Sequence, residues 1–189
     1  MISTFTAVFD ANVLYGQRIR SLLMYLTMSG LFRAKWSADI HREWMTAVSD
    51  NTGHDIASLE STRDAMDRAV PDALVTGYEG LIPAFNLPDP DDRHVLAAAV
   101  RCGASAIVTF NLKDFPASEL EQYGIHTKHP DEFIMDVDGL APGVVAETAK
   151  MDRLHYPVSA DDYIDGIRRA GLAMVAAHLD GVRVLLEDD

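Results

Sequence analysis

Short apolar runs alternating with amphipathic stretches set the narrowest limit on what this chain can fold into. FTAVF at 5–9 is rich in β-formers and ends in Asp-Ala-Asn, and ASAIVTFN at 104–111 is the clearest strand of the chain. LFRAKW, ALVTGYEGLI (interrupted at Gly77) and YGIHT read as further strands. Between them lie helical patterns. Ile19, Leu22, Leu23 and Leu26 fall at i, i+3, i+4 and i+7 and stop near Gly30. Ser37 is placed to cap a second helix whose stripe is Ile40, Trp44, Ala47 and Val48. Residues 55–70 form a third, and NLPDPDDRHVLAAAV is an acid-loaded turn opening a short apolar helix. Strands that alternate with helices require a parallel sheet covered on both faces, an α/β/α arrangement. Around 130–142, PDEFIMDVDGLAPG reads as a boundary. Two helices follow, at about 142–155 and 160–180, without strands between them. The expected division is therefore an α/β domain over 1–130 and a small all-α appendage over 137–189, with Glu187-Asp188-Asp189 solvated and disordered at the end.

Length and composition are consistent with this. A chain of 189 residues suits one good-sized domain with a small addition. No apolar stretch approaches the ~20 residues of a membrane span. The first residues lack the basic n-region and the cleavage site of a secretory leader, and the single cysteine, Cys102, excludes an internal disulfide framework or a CxxC metal site. The expected compartment is the cytoplasm. A net charge of −13 argues against broad, non-specific nucleic-acid binding. Over residues 12–42, however, five basic groups (Arg18, Arg20, Arg33, Lys35, Arg42) face one acid, Asp39. Taken alone, that segment reads as a solvated helical face.

Chemistry is concentrated in the acids. In open α/β sheets, ligands bind beyond the carboxyl ends of the strands. Asp10 follows the first strand, and Asn111 follows AIVTF. Glu43 lies on or beside the apolar stripe of its helix, and Asp92 shares one side of the next with Val95, Leu96 and Ala99. A lone buried carboxylate is costly unless it is paired or bound to a cation. Two inward acids and a strand-end acid invite a shared divalent ion, and Mg²⁺ or Mn²⁺ suits oxygen ligands without His or Cys. Each acid also has a local reading. Asp10 can form an Asx-turn or cap, Glu43 can reach water, and Asp89, Asp91 and Asp92 can favour a helix N-terminus.

VFDANVL, SADIHREW, DPDDRHVLAAAV and AIVTFNLKDFP occur in this order over residues 5–116. This set resembles the PIN-domain family, most closely the VapC-type ribonuclease toxins of bacterial toxin–antitoxin pairs. The resemblance implies a PIN-like α/β/α fold in which acids at the C-terminal edge of a parallel sheet hold Mg²⁺ or Mn²⁺. Carried over by motif, Asp10, Glu43 and Asp92 are the catalytic and metal-holding acids, with Asp89, Asp91, Asn111 and Asp114 as further candidates. Asn12 and Thr109 support the first acid. Asn111 departs from the family pattern, which has an acid there, and this leaves open one metal or two. The implied reaction is endonucleolytic hydrolysis of RNA leaving a 5′-phosphate and a 3′-hydroxyl. Arg18, Arg20, Arg42, Arg93 and Lys113 are candidate RNA contacts. The tail resembles the helical extension of one subgroup, and the implied partners are an RNA substrate, an antitoxin protein and a second copy of the chain.

Two other readings stay open. A catalytically degenerate PIN-like scaffold draws support from Asn111. A haloacid-dehalogenase-type phosphatase shares the acid after strand one, but needs a second carboxylate where this chain has Asn12. No G-x-G-x-x-G or P-loop occurs, no HExxH is present, and His41 and His94 read as surface residues or helpers beside the proposed ligands.

Overall fold

The computed structural model describes residues 5–187. Asp188 and Asp189, for which a solvated end is expected, lie outside them. The helices are α1 (Ala11–Tyr15), α2 (Gln17–Thr27), α3 (Ala38–Thr52), α4 (Ile56–Ala69), α5 (Arg93–Cys102), α6 (Ala117–Leu120), α7 (Pro130–Leu140), α8 (Val144–Arg153), α9 (Ala160–Arg169) and α10 (Ala173–Gly181). The strands are β1 (Phe5–Phe9), β2 (Phe32–Ser37), β3 (Leu74–Val75), β4 (Ala106–Val108) and β5 (His126–Lys128). The chain divides into two compact units. One holds the residues up to Tyr15 with Phe32–His129; the other holds Gly16–Leu31 with the residues from Pro130 onward.

The first unit is a five-stranded parallel sheet in the order β3-β2-β1-β4-β5, flanked by helices. From β1 the chain steps outward to β2 and β3, then returns to place β4 on the other side of β1. Since crossovers between parallel strands are right-handed as a rule, this order assigns α3 and α4 to one face and α5 and α6 to the other. α5 packs across β1, β2, β3 and β4, while α3 packs on β2, α1 and α4. The inner strands read as continuous apolar runs because both faces are covered: Ala7, Val8, Phe9, Ala106, Ile107 and Val108 are all buried. Ser37 caps α3 as expected, accepting from the Ile40 amide at 3.2 Å. The third strand is shorter than its apolar run, because Gly77 takes φ +72° and turns the chain into a 3₁₀ segment at Glu79–Ala84.

His41 is neither a surface residue nor a metal-site helper. It is buried and joins α3 to α4. Trp44 Nε1 donates to His41 Nδ1 at 2.9 Å, and His41 Nε2 lies 3.1 Å from Asp67 Oδ1, which also accepts from Trp36 Nε1 at 2.8 Å. An indole can only donate, so Nδ1 must accept and Nε2 carries the proton toward Asp67. Burial lowers the His41 pKa, in keeping with that neutral tautomer.

The second unit is all helical and differs from the sequence expectation in three ways. PDEFIMDVDGL is a helix, α7, rather than a boundary: Asp131 accepts from the Met174 and Val175 amides at the start of α10, and Asp138 from the Gly143 and Val145 amides at the start of α8. The expected 160–180 helix is two, α9 and α10, parted at Gly171 with φ +92°. The segment 16–31 packs with the tail. The reason is polar: Ser21 Oγ donates to Asp152 Oδ1, Tyr163 OH donates to Asp152 Oδ2 at 2.6 Å, and the Arg18 guanidinium lies 4.0 Å from the Tyr156 ring centroid. Gly166 leaves room for Arg18, since a Cβ there would stand 3.2 Å from its Nε.

Asp152 is fully buried, and its two hydroxyl donors have no alternative acceptor in the immediate bonding pattern. Asp152→Ala is expected to destabilise the helical unit by about 3 kcal/mol, and Asp152→Asn by less, since the amide oxygen still accepts. Urea unfolding of the full chain, followed by far-UV circular dichroism, measures both; an equal loss in Asp152→Asn, which keeps the volume, would mean that the charge of the carboxylate rather than its accepting oxygen sets the effect.

Candidate metal centre at the sheet edge

The order of strands places a topological switch between β1 and β4, the two strands that carry the expected acid and its supporting residues beyond their carboxyl ends. Asp10 follows β1 directly, and its amide donates to the Val108 carbonyl at 3.0 Å, so the pairing with β4 continues through it. The Asp10 carboxylate is 3% exposed. Its Oδ1 accepts from the Ala11 amide at 2.7 Å; its Oδ2 accepts from Asn12 Nδ2 at 2.6 Å and from Thr109 Oγ1 at 2.7 Å. Asn12 Oδ1 in turn accepts from the Phe110 amide at 3.1 Å, and Thr109 Oγ1 from the Asn111 amide at 3.0 Å. Asn12 and Thr109, expected to support the first acid, both donate to its carboxylate. Burial raises the Asp10 pKa despite the bonds from Thr109 and Ala11, and the charge of Glu43 adds to the rise.

Glu43 comes from α3 and Asp92 from the 3₁₀ turn that opens α5. Both are half-buried. Glu43 Oε1 lies 2.7 Å from His94 Nε2. The Asp92 carboxylate has no hydrogen bond among the described residues, and it is pushed up to about 7, first by burial and then by the charges of Asp10, Asp89, Asp114 and Glu43. Five acids therefore share one field, with Asp92 bearing most of its cost. Asp91 is exposed. Asp89 is exposed and caps the Asp91 amide at 2.9 Å. Asn111 is exposed at the start of a 3₁₀ turn, Leu112–Asp114, which brings Asp114 into the field.

The basic candidates separate. Arg42 is exposed and paired with Asp39 at 2.6 Å, Arg93 is half-buried, and Lys113 is exposed. Arg18 and Arg20 belong to the helical unit, where Arg18 stacks on Tyr156 and Arg20 is 9% exposed; neither placement supports a phosphate contact. Two groups named only in passing in the sequence reading lie at the site. Asp39 accepts from Tyr78 OH at 2.7 Å, and these bonds with Arg42 outweigh burial and lower its pKa. His94, read as a surface residue or helper, is 7% exposed. Burial alone would lower its pKa, but Glu43, with Asp39 and Asp10 behind it, raises it. The spacing of Asp39 and Glu43 at i and i+4 was the available signal for the first; the second had none beyond its place on an otherwise apolar helix.

The donor chemistry, carboxylate oxygens in mutual repulsion, fits a hard divalent cation. Among the described residues, however, no three His, Cys, Asp or Glu side chains form a ready-made metal cage. The acids are coupled through their field rather than by contact.

The fold and this acid edge define a PIN-like α/β/α protein with an all-α C-terminal region. Residues 130–181 match the family model described as the VapC50 C-terminal domain, a segment that begins with α7. Over 64 residues, 34% of this chain and 37% of the relative, the sequence is 53% identical to the protein named "Putative ribonuclease VapC50" of Mycobacterium tuberculosis (strain ATCC 25618 / H37Rv). The match thus spans little more than a third of that relative's length. These findings support the resemblance to VapC-type PIN toxins with a C-terminal extension. No solved structure gives a significant match. No helix of the described residues is long and apolar enough to cross a membrane.

The Asp92 pKa lies above its unfolded value of 3.8, so the unfolded chain ionises this group first as pH rises. The stability of the metal-free protein should fall through that window and stay low above about pH 7. Asp92→Asn is therefore expected to raise Tm in chelator at about pH 8 and leave it unchanged at about pH 3.5. An equal gain at both pH values would point to packing instead of charge.

Proposed function

We propose that this protein is a Mg²⁺- or Mn²⁺-dependent endoribonuclease, the toxin of a toxin–antitoxin pair. The observation that carries the reading is Asp10, a buried carboxylate locked at the β1/β4 switch point, sharing a field with Glu43 and Asp92. A relative named as a ribonuclease supports it. Asp10, Glu43 and Asp92 would hold the cation, which when bound supplies an activated water and offsets charge on the phosphate.

The chain's own residues account for the rest. Thr109 and Asn12 orient Asp10, and a carboxylate outside the cation's shell takes the proton of the attacking water. Asn111 contributes a neutral oxygen where the family pattern has an acid, while Asp89 and Asp114 add charge nearby. Arg42, fixed by Asp39, together with Arg93 and Lys113, contacts backbone phosphates of RNA. An antitoxin protein and a second copy of the chain are the partners this reading entails, with the cytoplasm as its place of action.

The scaffold reading has in its favour Asn111 and the lack of a ready-made metal cage among the described residues. The phosphatase reading has none: Asn12 uses its amide to hold Asp10 and offers no acid.

Cleavage of RNA by the purified chain should require Mg²⁺ or Mn²⁺, stop with chelator, and fall at least a hundredfold in Asp10→Ala, the order of effect expected when a group central to a catalytic site is removed. Activity that survives both treatments would assign the chemistry to another site. An inert wild type that binds no Mn²⁺ would favour the scaffold.

A further inference from the structure

His94 is the second residue of α5, in a run whose next five members, Val95 to Ala99, are all buried and apolar. An imidazole in such a place carries two polar atoms that burial leaves without water. Nε2 lies 2.7 Å from Glu43 Oε1, and Nδ1 is buried with no hydrogen-bond partner among the described residues. The ring is thus not anchored at its far end by a backbone carbonyl, as a histidine serving the stability of its own helix would be. Its one hydrogen bond goes to a residue 51 positions earlier, on α3. That bond joins the two elements that deliver the second and third acids of the site, because Asp92 stands two residues before His94. An apolar residue would fill the same volume without an orphaned nitrogen.

Glu43 Oε2 has no hydrogen bond among the described residues, so the contact uses one oxygen and leaves the other. Long carboxylate side chains lose appreciable rotamer entropy when a ligand fixes them, and a donor that fixes one oxygen beforehand removes part of that loss. Outer partners of metal-holding carboxylates act in this way, and their loss typically weakens metal affinity 10–100-fold.

We propose that His94 is a positioning residue for the divalent-cation site: by donating from Nε2 to Glu43 Oε1 it sets the Glu43 carboxylate beside the α5 acids and leaves Oε2 for the ion. This rests on the reading of Asp10, Glu43 and Asp92 as the metal-holding set. It assigns to the histidine no contact with the ion or with RNA.

Two amides separate the nitrogens of the ring. The amide nitrogen of Gln extends as far as Nε2, and that of Asn only as far as Nδ1. Mn²⁺ titration of the full chain, read by the electron paramagnetic resonance of the free ion, should show His94→Gln within about threefold of wild type and His94→Asn weaker by about tenfold or more. Melting temperatures measured in chelator establish that both variants are folded. In a Glu43→Gln background, His94→Asn should weaken binding by less than about twofold, because residues that act through one another are not additive. Equal affinity in His94→Asn and wild type would overturn the proposal. So would a full tenfold loss that persists in the Glu43→Gln background, since His94 would then act through packing. If His94→Asn does not fold, loss of affinity in His94→Gln equal to that in Glu43→Gln would overturn it. A wild type that binds no Mn²⁺ would overturn the reading of the site itself, and the inference with it, a result distinct from any of the others.

Discussion

The carboxylate of Asp10 is the constraint around which the sheet edge is arranged. A buried carboxylate costs several kcal/mol unless donors replace its water. Three do so here: the Ala11 amide, the Asn12 amide group and the Thr109 hydroxyl. The donors come from both sides of the β1/β4 switch, so satisfying one charge also fixes how the two loops leave their strands. Asn12 and Thr109 then pass the order onward by accepting from the Phe110 and Asn111 amides. Charge-assisted bonds are worth about 1.5–3 kcal/mol each, yet burial still prevails and the Asp10 pKa rises. The lock compensates the charge without fully neutralising it. That residue of unfavourable energy is what a cation would relieve.

The neighbouring acids differ in how far they have been compensated. Asp39 has a phenol and a guanidinium, and its pKa falls. Glu43 has an imidazole on one oxygen. Asp92 has only like charges around it, and its carboxyl is the one pushed to about 7. The gradient runs from the paired edge at Asp39 to the unpaired one at Asp92, across α3 and α5. A structural ion-pair network would place its cations among the acids, whereas here the only arginine firmly paired in the group, Arg42, is held on the outside by Asp39 and is itself exposed.

Legibility in the sequence followed the range of the forces involved. The strand end before Asp10 and the Ser37 cap depend on local pattern and are found where it puts them, while Glu43 and Asp92 are half-buried and Asn111 opens a 3₁₀ turn beyond β4. The interruption at Gly77 was legible as well: β3 ends at Val75, and Gly77 takes φ +72° just beyond it. Residues 130–142 looked like a boundary because Pro, Asp and Gly favour turns. Two of those acids instead cap helices: Asp138 the adjacent α8 and Asp131 the distant α10, an arrangement that only the folded unit reveals. The basic segment 12–42 was legible as a solvated face and proved more dispersed than that. Arg18 stacks on a tyrosine 138 positions later, Lys35 donates to the Asp72 carbonyl, and Arg42 pairs with Asp39. Tertiary partners, absent from any window of the sequence, dissolved an apparent patch.

The same reasoning separates two uses of acidic residues in a chain whose net charge is −13. In the helical unit, Asp131 is buried between two backbone amides at a helix start, and Asp138 has the same kind of donors. Asp152 has two hydroxyls. Helix N-termini and hydroxyls complete these acids within the protein, so no ligand is needed. At the sheet edge the supply of donors runs out partway: complete for Asp39, substantial for Asp10, half for Glu43 and absent for Asp92. Burial alone does not distinguish the two groups, because Asp152 is more deeply buried than Asp92. What distinguishes them is whether other acids add to the cost: burial raises the Asp152 pKa against its hydroxyl donors, whereas at Asp10 and Asp92 the charges of neighbouring acids add to burial. Where a buried acid meets donors alone, it is part of the framework; where several acids raise one another's charge cost, a cation from solution would relieve it, which is the step the proposed function takes.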